Sequence, residues 1–382
     1  MLDCRSPDSS FRRRRLLKSD RHILVIGGGA IGLLTARELA SAGAQVTVLE
    51  RGQPGRESSW AGGGIVSPLF PWRYLDSITA LASWSQTRYP EACAQLARDT
   101  GIDPEFTVNG MLMVAEDEID TALAWAARHG RRLETVDAAT FRALEPAAAR
   151  PPETGLWMPE VGQLRNPRLL AALLADLQAR GVTLRSDTPV NGLWIRNGVC
   201  RGVTTPRGHV EADRVIVCAG AWSGELLGDL PAPPAVRPVR GQMLLFQTTP
   251  DTISRIVLED QRYIIPRRDG HVLFGSSMEE VGFDKSTTEA MREELLALVR
   301  ERFPVMRDAP LVKHWAGLRP GSPAGVPYIS AHPEIGGLYV NAGQFRNGIV
   351  IGLASARLAA DLVLERPPIL DPAPYGWNAP RG

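Results

Sequence analysis

One short stretch near the start of the chain restricts the fold more than any other. His22-Ile23-Leu24-Val25-Ile26 is apolar and β-branched, the composition of a buried strand. It runs directly into Gly27-Gly28-Gly29-Ala30-Ile31-Gly32, a match to G-x-G-x-x-G. Leu34, Ala36, Leu39 and Ala40 follow at helical spacing, and Gly43 stops that helix. Gln45 to Leu49 reads as a second strand, with Glu50 at its end. Each piece has a physical reason. Gly27 allows the tight turn from strand to helix. Gly29 lets a pyrophosphate approach the backbone at the helix N-terminus, beside Ala30 and Ile31. Gly32 lets the helix pack close to the strand. Glu50 can accept hydrogen bonds from ribose hydroxyls, which argues against a 2′-phosphate and so against NADP. Strand, glycines, helix, second strand and terminal acid in this order predict a dinucleotide-binding βαβ unit.

Composition narrows the classes further. Lys+Arg total 43 and Asp+Glu 42, a net charge of +1. That balance argues against a dedicated nucleic-acid binder, which carries a basic excess. Hydrophobic residues at 44% place the chain among globular proteins rather than disordered ones. Cys4, Cys93, Cys200 and Cys218 include no C-x-x-C pair, so neither a zinc site nor a disulfide framework is expected. The histidines show no metal-ligand spacing, and no metal is expected. No apolar run is long enough to predict a membrane span. Residues 1–20 are polar and contain Arg12-Arg13-Arg14-Arg15. A twin-arginine signal would need an apolar region of its own next, but the apolar run from Ile23 already belongs to the strand. Residues 1–20 are expected to be a disordered basic tail.

Beyond Arg51, the stretch Ser58-Ser59-Trp60-Ala61-Gly62-Gly63-Gly64-Ile65 holds almost no large side chains. Such a backbone can lie flat on a large planar ligand, with Ser58 and Ser59 available for phosphate. At this point the sequence resembles the D-amino-acid-oxidase superfamily of FAD enzymes, and within it the bacterial glycine oxidases. The motifs that carry the resemblance are Gly27 to Gly32, Glu50-Arg51, Ser58 to Gly64, Arg237-Pro238-Val239-Arg240-Gly241-Gln242 and Tyr263-Ile264-Ile265-Pro266-Arg267. Trp315-Ala316-Gly317-Leu318-Arg319-Pro320-Gly321 and Phe345-Arg346-Asn347-Gly348 complete them. It extends over about residues 22–376.

The resemblance implies a set of roles. Arg319 and Tyr263 would hold a substrate carboxylate, with Arg346 a second arginine near flavin and substrate. A guanidinium suits the task because its paired donors match both carboxylate oxygens. Ile65, Gln261 and Met278 match pocket-wall positions. Val190 would cover the adenine side, and Ala219-Gly220 with Trp222 would close the same site. Gln344, Phe345, Arg346, Asn347, Gly348, Ile349 and Val350 would face the flavin with backbone N–H groups. Monomeric sarcosine oxidases attach their flavin to a cysteine just past the position of Arg319. Here Pro320-Gly321-Ser322 follows, so the FAD is expected to be non-covalent.

The implied reaction is oxidative deamination of glycine and small D-amino acids, with sarcosine as a further substrate. Products would be an α-keto acid, ammonia and hydrogen peroxide, with O2 as acceptor and a link to thiazole formation for thiamine. A D-amino-acid dehydrogenase passing electrons to a quinone has the same fold. A third reading, the oxidase half of a tRNA-modifying enzyme, needs a fused partner and a basic surface that the sequence lacks. A cytoplasmic homo-oligomer, dimer or tetramer, without stable membrane insertion, is implied.

The expected fold class is α/β. A Rossmann-like FAD-binding domain of the glutathione-reductase type is interleaved with an α+β substrate domain on an antiparallel sheet. The FAD-binding domain takes residues 21–100, 155–235 and 315–370, and the substrate domain 101–154 and 236–314. Asn166-Pro167 predicts a helix start, with Asn166 as N-cap. Ser286-Thr287-Thr288-Glu289 predicts a capping box for a helix to about Arg302. Arg268-Asp269-Gly270-His271 predicts a hairpin turn.

Overall fold

In the computed structural model, which describes residues 21–381, the glycine-rich segment joins strand β1 (His22–Ile26) to helix α1 (Ala30–Ser41). The tail expected at residues 1–20 lies outside the described residues. Strand β2 (Gln45–Leu49) pairs parallel with β1, as does β3 (Arg214–Val217) on its other side. Ile23, Leu24 and Val25 are fully buried, which explains why this strand is apolar on both faces. Gly27 has φ +109°, and a Cβ there would lie 2.3 Å from the Cys218 carbonyl oxygen. A Cβ on Gly32 would lie 1.9 Å from the Gly27 carbonyl oxygen. The turn closes against β3 and the helix sits on the turn only because both side chains are missing.

This sheet has six strands, in the order Tyr328–Ala331, Leu338–Ala342, β3, β1, β2 and Thr183–Arg185, all parallel except the antiparallel edge strand Tyr328–Ala331. Short helix α2 (Ser58–Ala61) and helix α3 (Asn166–Ala179) flank the nucleotide end. The residue preceding α3 is Arg165, not the expected Asn166. The Asn166 amide donates instead to the Ser59 carbonyl at 2.7 Å, tying α3 to α2. A three-stranded antiparallel sheet of Gly192–Arg196, Val199–Thr205 and Gly208–Glu211 lies beside β3.

The second large sheet has eight strands. Its long edge pair is β4 (Arg237–Gln247) and, further along the chain, the strand Leu311–Gly321. Strand β5 (Arg262–Pro266) and β6 (His271–Gly275) form the expected hairpin, with Gly270 at φ +81°. Helix α4 (Glu289–Arg302) buries Leu295 and Val299 against one face. Its N-cap is Thr288, without a side-chain capping bond, so the capping box expected from Ser286 does not form. The Gln242 carboxamide occupies that place, accepting from the Thr288 N–H at 3.0 Å.

Three features of this sheet depart from expectation. The pair Ile256–Glu259 with Met111–Val114 is parallel, so the sheet is mixed. Thr154–Met158 belongs to it, so the chain leaves the sheet a few residues later than the predicted boundary at 154–155. The strand Leu311–Gly321, labelled β7, keeps pairing with β4 to its last residue, past the predicted return at 315. Long-range pairing with β4 sets that limit, and local sequence carries no trace of it. Helix α5 (Gly352–Val363) then packs on α1 in the core of the nucleotide unit. Among the described residues, no helix is long and apolar enough to cross a membrane.

The close approach at Gly32 generates a prediction. Gly32→Ala must push α1 off the turn, because the obstructing atom is backbone. Overpacking of this kind costs about 1–3 kcal/mol. Thermal unfolding of the apoprotein should fall accordingly, and FAD retention should fall with it. An unchanged melting temperature and FAD content would show that the turn relaxes freely.

Candidate functional site

A cavity of about 720 Å3 is walled by residues of both large sheets. Its nucleotide end is built on the ends of β1 and β2. The Glu50 carboxylate accepts from the Gly28 N–H at 2.8 Å and the Gly52 N–H at 3.1 Å, and so is fixed at the cavity wall. Arg51 stacks over the Trp222 ring at 3.4 Å and pairs with Glu57 at 2.9 Å. Trp222 in turn stacks on Phe283 of the loop after β6. Ser59 Oγ accepts from the Ala30 N–H at 2.9 Å, holding α2 against the start of α1. The 58–61 stretch is thus a helical turn rather than flat extended backbone. The small residues beyond it are required from behind. A Cβ on Gly63 would lie 2.6 Å from Ile265 Cδ1, and one on Gly64 2.1 Å from the Leu164 carbonyl oxygen.

The other end is built by β4, β5 and β7. In the β4–β7 ladder Val239 faces Arg319 and Gly241 faces Gly317. The half-buried Arg319 guanidinium donates to Ser276 Oγ at 2.6 Å and to the carbonyls of Arg240 and Ser277, each at 3.2 Å. Tyr263, 8% exposed, points its hydroxyl at the same Ser276 Oγ at 3.1 Å. Burial holds the Arg319 guanidinium below the ordinary arginine value, opposed by Tyr263 and reinforced by the charge of Arg346. Among the described residues, neither Arg319 nor Arg346 has a carboxylate partner. Arg240, by contrast, is clamped between Glu279 and Asp284, each at 2.6 Å. Two unpaired guanidiniums at the end of a partly apolar cavity form a site for a carboxylate.

Most of the residues singled out from sequence gather here. Gly27, Gly29, Ala30, Ile31, Glu50, Arg51, Ser58, Ser59, Gly63, Gly64 and Ile65 line the cavity. So do Val190, Ala219, Gly220, Trp222, Tyr263, Arg319, Gln344, Phe345, Arg346, Gly348 and Ile349. Five do not. Gly32 lies behind the turn, against Gly27. Asn347 and Val350 are buried in the interior. Gln261 is exposed in the turn before β5, and Met278 is 46% exposed in the loop after β6.

Four contributors went unseen in the sequence. A Cβ on Gly241 would lie 2.1 Å from Arg319 Nη2, so the missing side chain makes the room the guanidinium occupies. Ser276 bridges Arg319 and Tyr263. Asn166 lines the cavity with a buried Oδ1 that has no partner. Arg267 is buried and donates to the Gly63 carbonyl at 2.8 Å and the Leu164 carbonyl at 2.9 Å. Burial, with the charge of Arg165, pushes Arg267 down to about 10. The glycine in Arg240-Gly241 was a visible signal; the contacts of the other three depend on tertiary structure.

The residues present fit an FAD. The glycines leave room for a pyrophosphate at the start of α1, Glu50 offers ribose an acceptor, and Asn166 Oδ1 offers an unused one. Cys218 lines the cavity, but burial raises its thiol to about 12, which leaves it an unreactive wall. Among the described residues, no group of acids, histidines and cysteines could hold a metal ion.

The fold and this cavity define a flavin-linked oxidoreductase. The chain matches the family model described as FAD dependent oxidoreductase (DAO) over residues 22–362, and it belongs to that family. It is 49% identical to a glycine oxidase of Pseudomonas aeruginosa over 94% of this chain and 98% of that one. It is 31% identical to a bifunctional protein ThiO/ThiG of Trichormus variabilis, over 91% of this chain and 53% of that one. The crystal structure of glycine oxidase from Geobacillus kaustophilus superposes with a TM-score of 0.88 at 26% identity, covering 95% of this chain and 100% of that one.

Gly241→Ala should displace the Arg319 guanidinium and leave the nucleotide end intact. Hydrogen bonds to charged groups are worth about 1.5–3 kcal/mol. Binding of a small carboxylate, read from the flavin absorption, should weaken about ten- to hundredfold while FAD content is kept. Undiminished binding would show that Arg319 does not need that space.

Proposed function

We propose that the protein is a glycine oxidase, acting on glycine, sarcosine and small D-amino acids. The observation that carries this reading is the pair of guanidiniums, Arg319 and Arg346, that line the cavity and, among the described residues, pair with no carboxylate. The identity with the Pseudomonas aeruginosa glycine oxidase over nearly the full length supports it. In this reading Arg319 and Tyr263 bind the substrate carboxylate and Arg346 adds a second positive charge. Two cations against one carboxylate leave a net positive field, which disfavours the ammonium form of the substrate. The neutral amine is the form whose Cα can give up a hydride. Holding the carboxylate at one end sets the Cα position, and alignment is what the step requires of the protein. No protein base is needed.

FAD, when bound, supplies the acceptor for the hydride and returns the electrons to O2, giving hydrogen peroxide. The imine left behind takes up water and yields the α-keto acid and ammonia, or methylamine in the case of sarcosine; glycine and sarcosine both give glyoxylate. The likeness to ThiO/ThiG proteins supports a place in thiazole formation for thiamine, with the imine or its hydrolysis product as the compound passed on. The absence of a cysteine from Pro320-Gly321-Ser322 supports non-covalent FAD, and sedimentation of the holoenzyme tests the homo-oligomer that the resemblance implies.

The decisive experiment is anaerobic titration of the holoenzyme with glycine, D-alanine and sarcosine, followed by air. Bleaching of the flavin band, then rapid return with peroxide, is expected. Bleaching without return would point to a quinone as acceptor, and no bleaching by any of the three would overturn the substrate class. The order of reactivity ranks the substrates, since pocket walls differing by a methylene discriminate by only about 1–3 kcal/mol.

Arg319→Ala removes the guanidinium from the carboxylate end. Losing one partner of a buried charge pair costs about 2–5 kcal/mol. KM for glycine should therefore rise about thirtyfold or more, with the flavin spectrum retained. An unchanged KM would remove Arg319 from this role.

A further inference from the structure

Ser276 is 3% exposed and does not line the cavity, yet it touches both side chains that meet the substrate carboxylate in the reading above. Arg319 Nη2 lies 2.6 Å from its hydroxyl oxygen and the Tyr263 hydroxyl 3.1 Å. A serine hydroxyl has one proton to give and two lone pairs to fill. Arg319 has only protons to give, so Ser276 accepts from it. The Tyr263 hydroxyl donates to the same oxygen, so Ser276 Oγ is the common acceptor of both side chains and fills its two lone pairs with them. The other neighbour of the Tyr263 hydroxyl is Met243 Sδ at 3.8 Å, a weak acceptor that holds it less firmly.

We propose that Ser276 is a positioning residue for the substrate carboxylate. Its hydroxyl oxygen accepts from both Arg319 and Tyr263 and so fixes the guanidinium and the phenol hydroxyl relative to each other where the carboxylate meets them. The bond from the guanidinium is charge-assisted and the stronger of the two. Ser276 is held in place independently of its hydroxyl. Its carbonyl accepts from Arg262 Nη1 at 2.6 Å, and Arg262 is tied to Glu294 of α4 at 2.6 Å. The neighbouring Ser277 carbonyl is a second point of attachment for Arg319. Loss of the hydroxyl therefore removes the shared acceptor and leaves the loop.

The proposal rests on the glycine oxidase reading, and the test separates the two. Holoenzymes of the wild type, Ser276→Ala, Tyr263→Phe and the double variant are compared for KM and kcat with glycine. Binding of glycolate, which carries a hydroxyl in place of the amine, is measured in parallel from the flavin absorption. Ser276→Ala should raise KM and the glycolate dissociation constant about tenfold, with kcat changed much less. Ser276→Thr, which keeps the hydroxyl, should restore most of the loss. In the Tyr263→Phe background the same alanine substitution should cost about threefold or less, because one of the two groups it holds together is already gone. FAD content and melting temperature serve as the control for folding, and Ser276→Cys, a weaker acceptor of similar size, substitutes if the alanine variant is unstable. A wild type not reduced by glycine overturns the proposed activity. A wild type that is reduced, with an unchanged KM in Ser276→Ala or with the full tenfold loss persisting in the Tyr263→Phe background, overturns the role of Ser276 alone.

Discussion

The long ladder between β4 and β7 is the contact on which the site depends. It sets Gly241 opposite Gly317 and Val239 opposite Arg319. The missing side chain of Gly241 then makes the space that the Arg319 guanidinium fills, while a Cβ on Gly317 would lie 2.5 Å from Ala61 Cβ of α2. One strand pair thereby fixes the carboxylate end of the cavity and brings the eight-stranded sheet against the nucleotide unit. A one-residue slip would send Arg319 to the opposite face.

Charge is distributed unevenly around this ladder. Arg240, next to Gly241, is neutralised by Glu279 and Asp284 in the loop after β6, and Gln242 reaches the same Glu279. Among the described residues, Arg319 and Arg346 form no salt bridge. The protein matches cations to carboxylates where structure is at stake and withholds them at the cavity end, where a ligand supplies the missing charge. Buried pairs are costly to break and buried lone charges costly to keep, so the second arrangement belongs at a binding site.

Sequence reading went furthest where local patterns coincide with physical demands. The turn from Gly27 to Gly32 was legible because its geometry forbids side chains, and Glu50 because a strand end places it. Arg319, Tyr263 and Arg346 were reached through motif resemblance rather than through spacing. Helix caps failed where tertiary contacts took the capping side chain, as Ser59 does with Asn166 and Gln242 does with the start of α4. The end of β7 was missed because pairing with β4 outlasts any local signal. Ser276 and Arg267 were invisible for the same reason: each acts through partners distant in the chain.

A cavity walled by two sheets has a consequence for the life of the protein in a cell. An FAD seated in it would meet residues of both sheets and so act as mortar between them. A ligand that binds only the folded state adds stability that grows with the logarithm of its free concentration. Loaded protein therefore resists unfolding, and the proteolysis that follows unfolding, better than empty protein does, by a margin that free FAD sets.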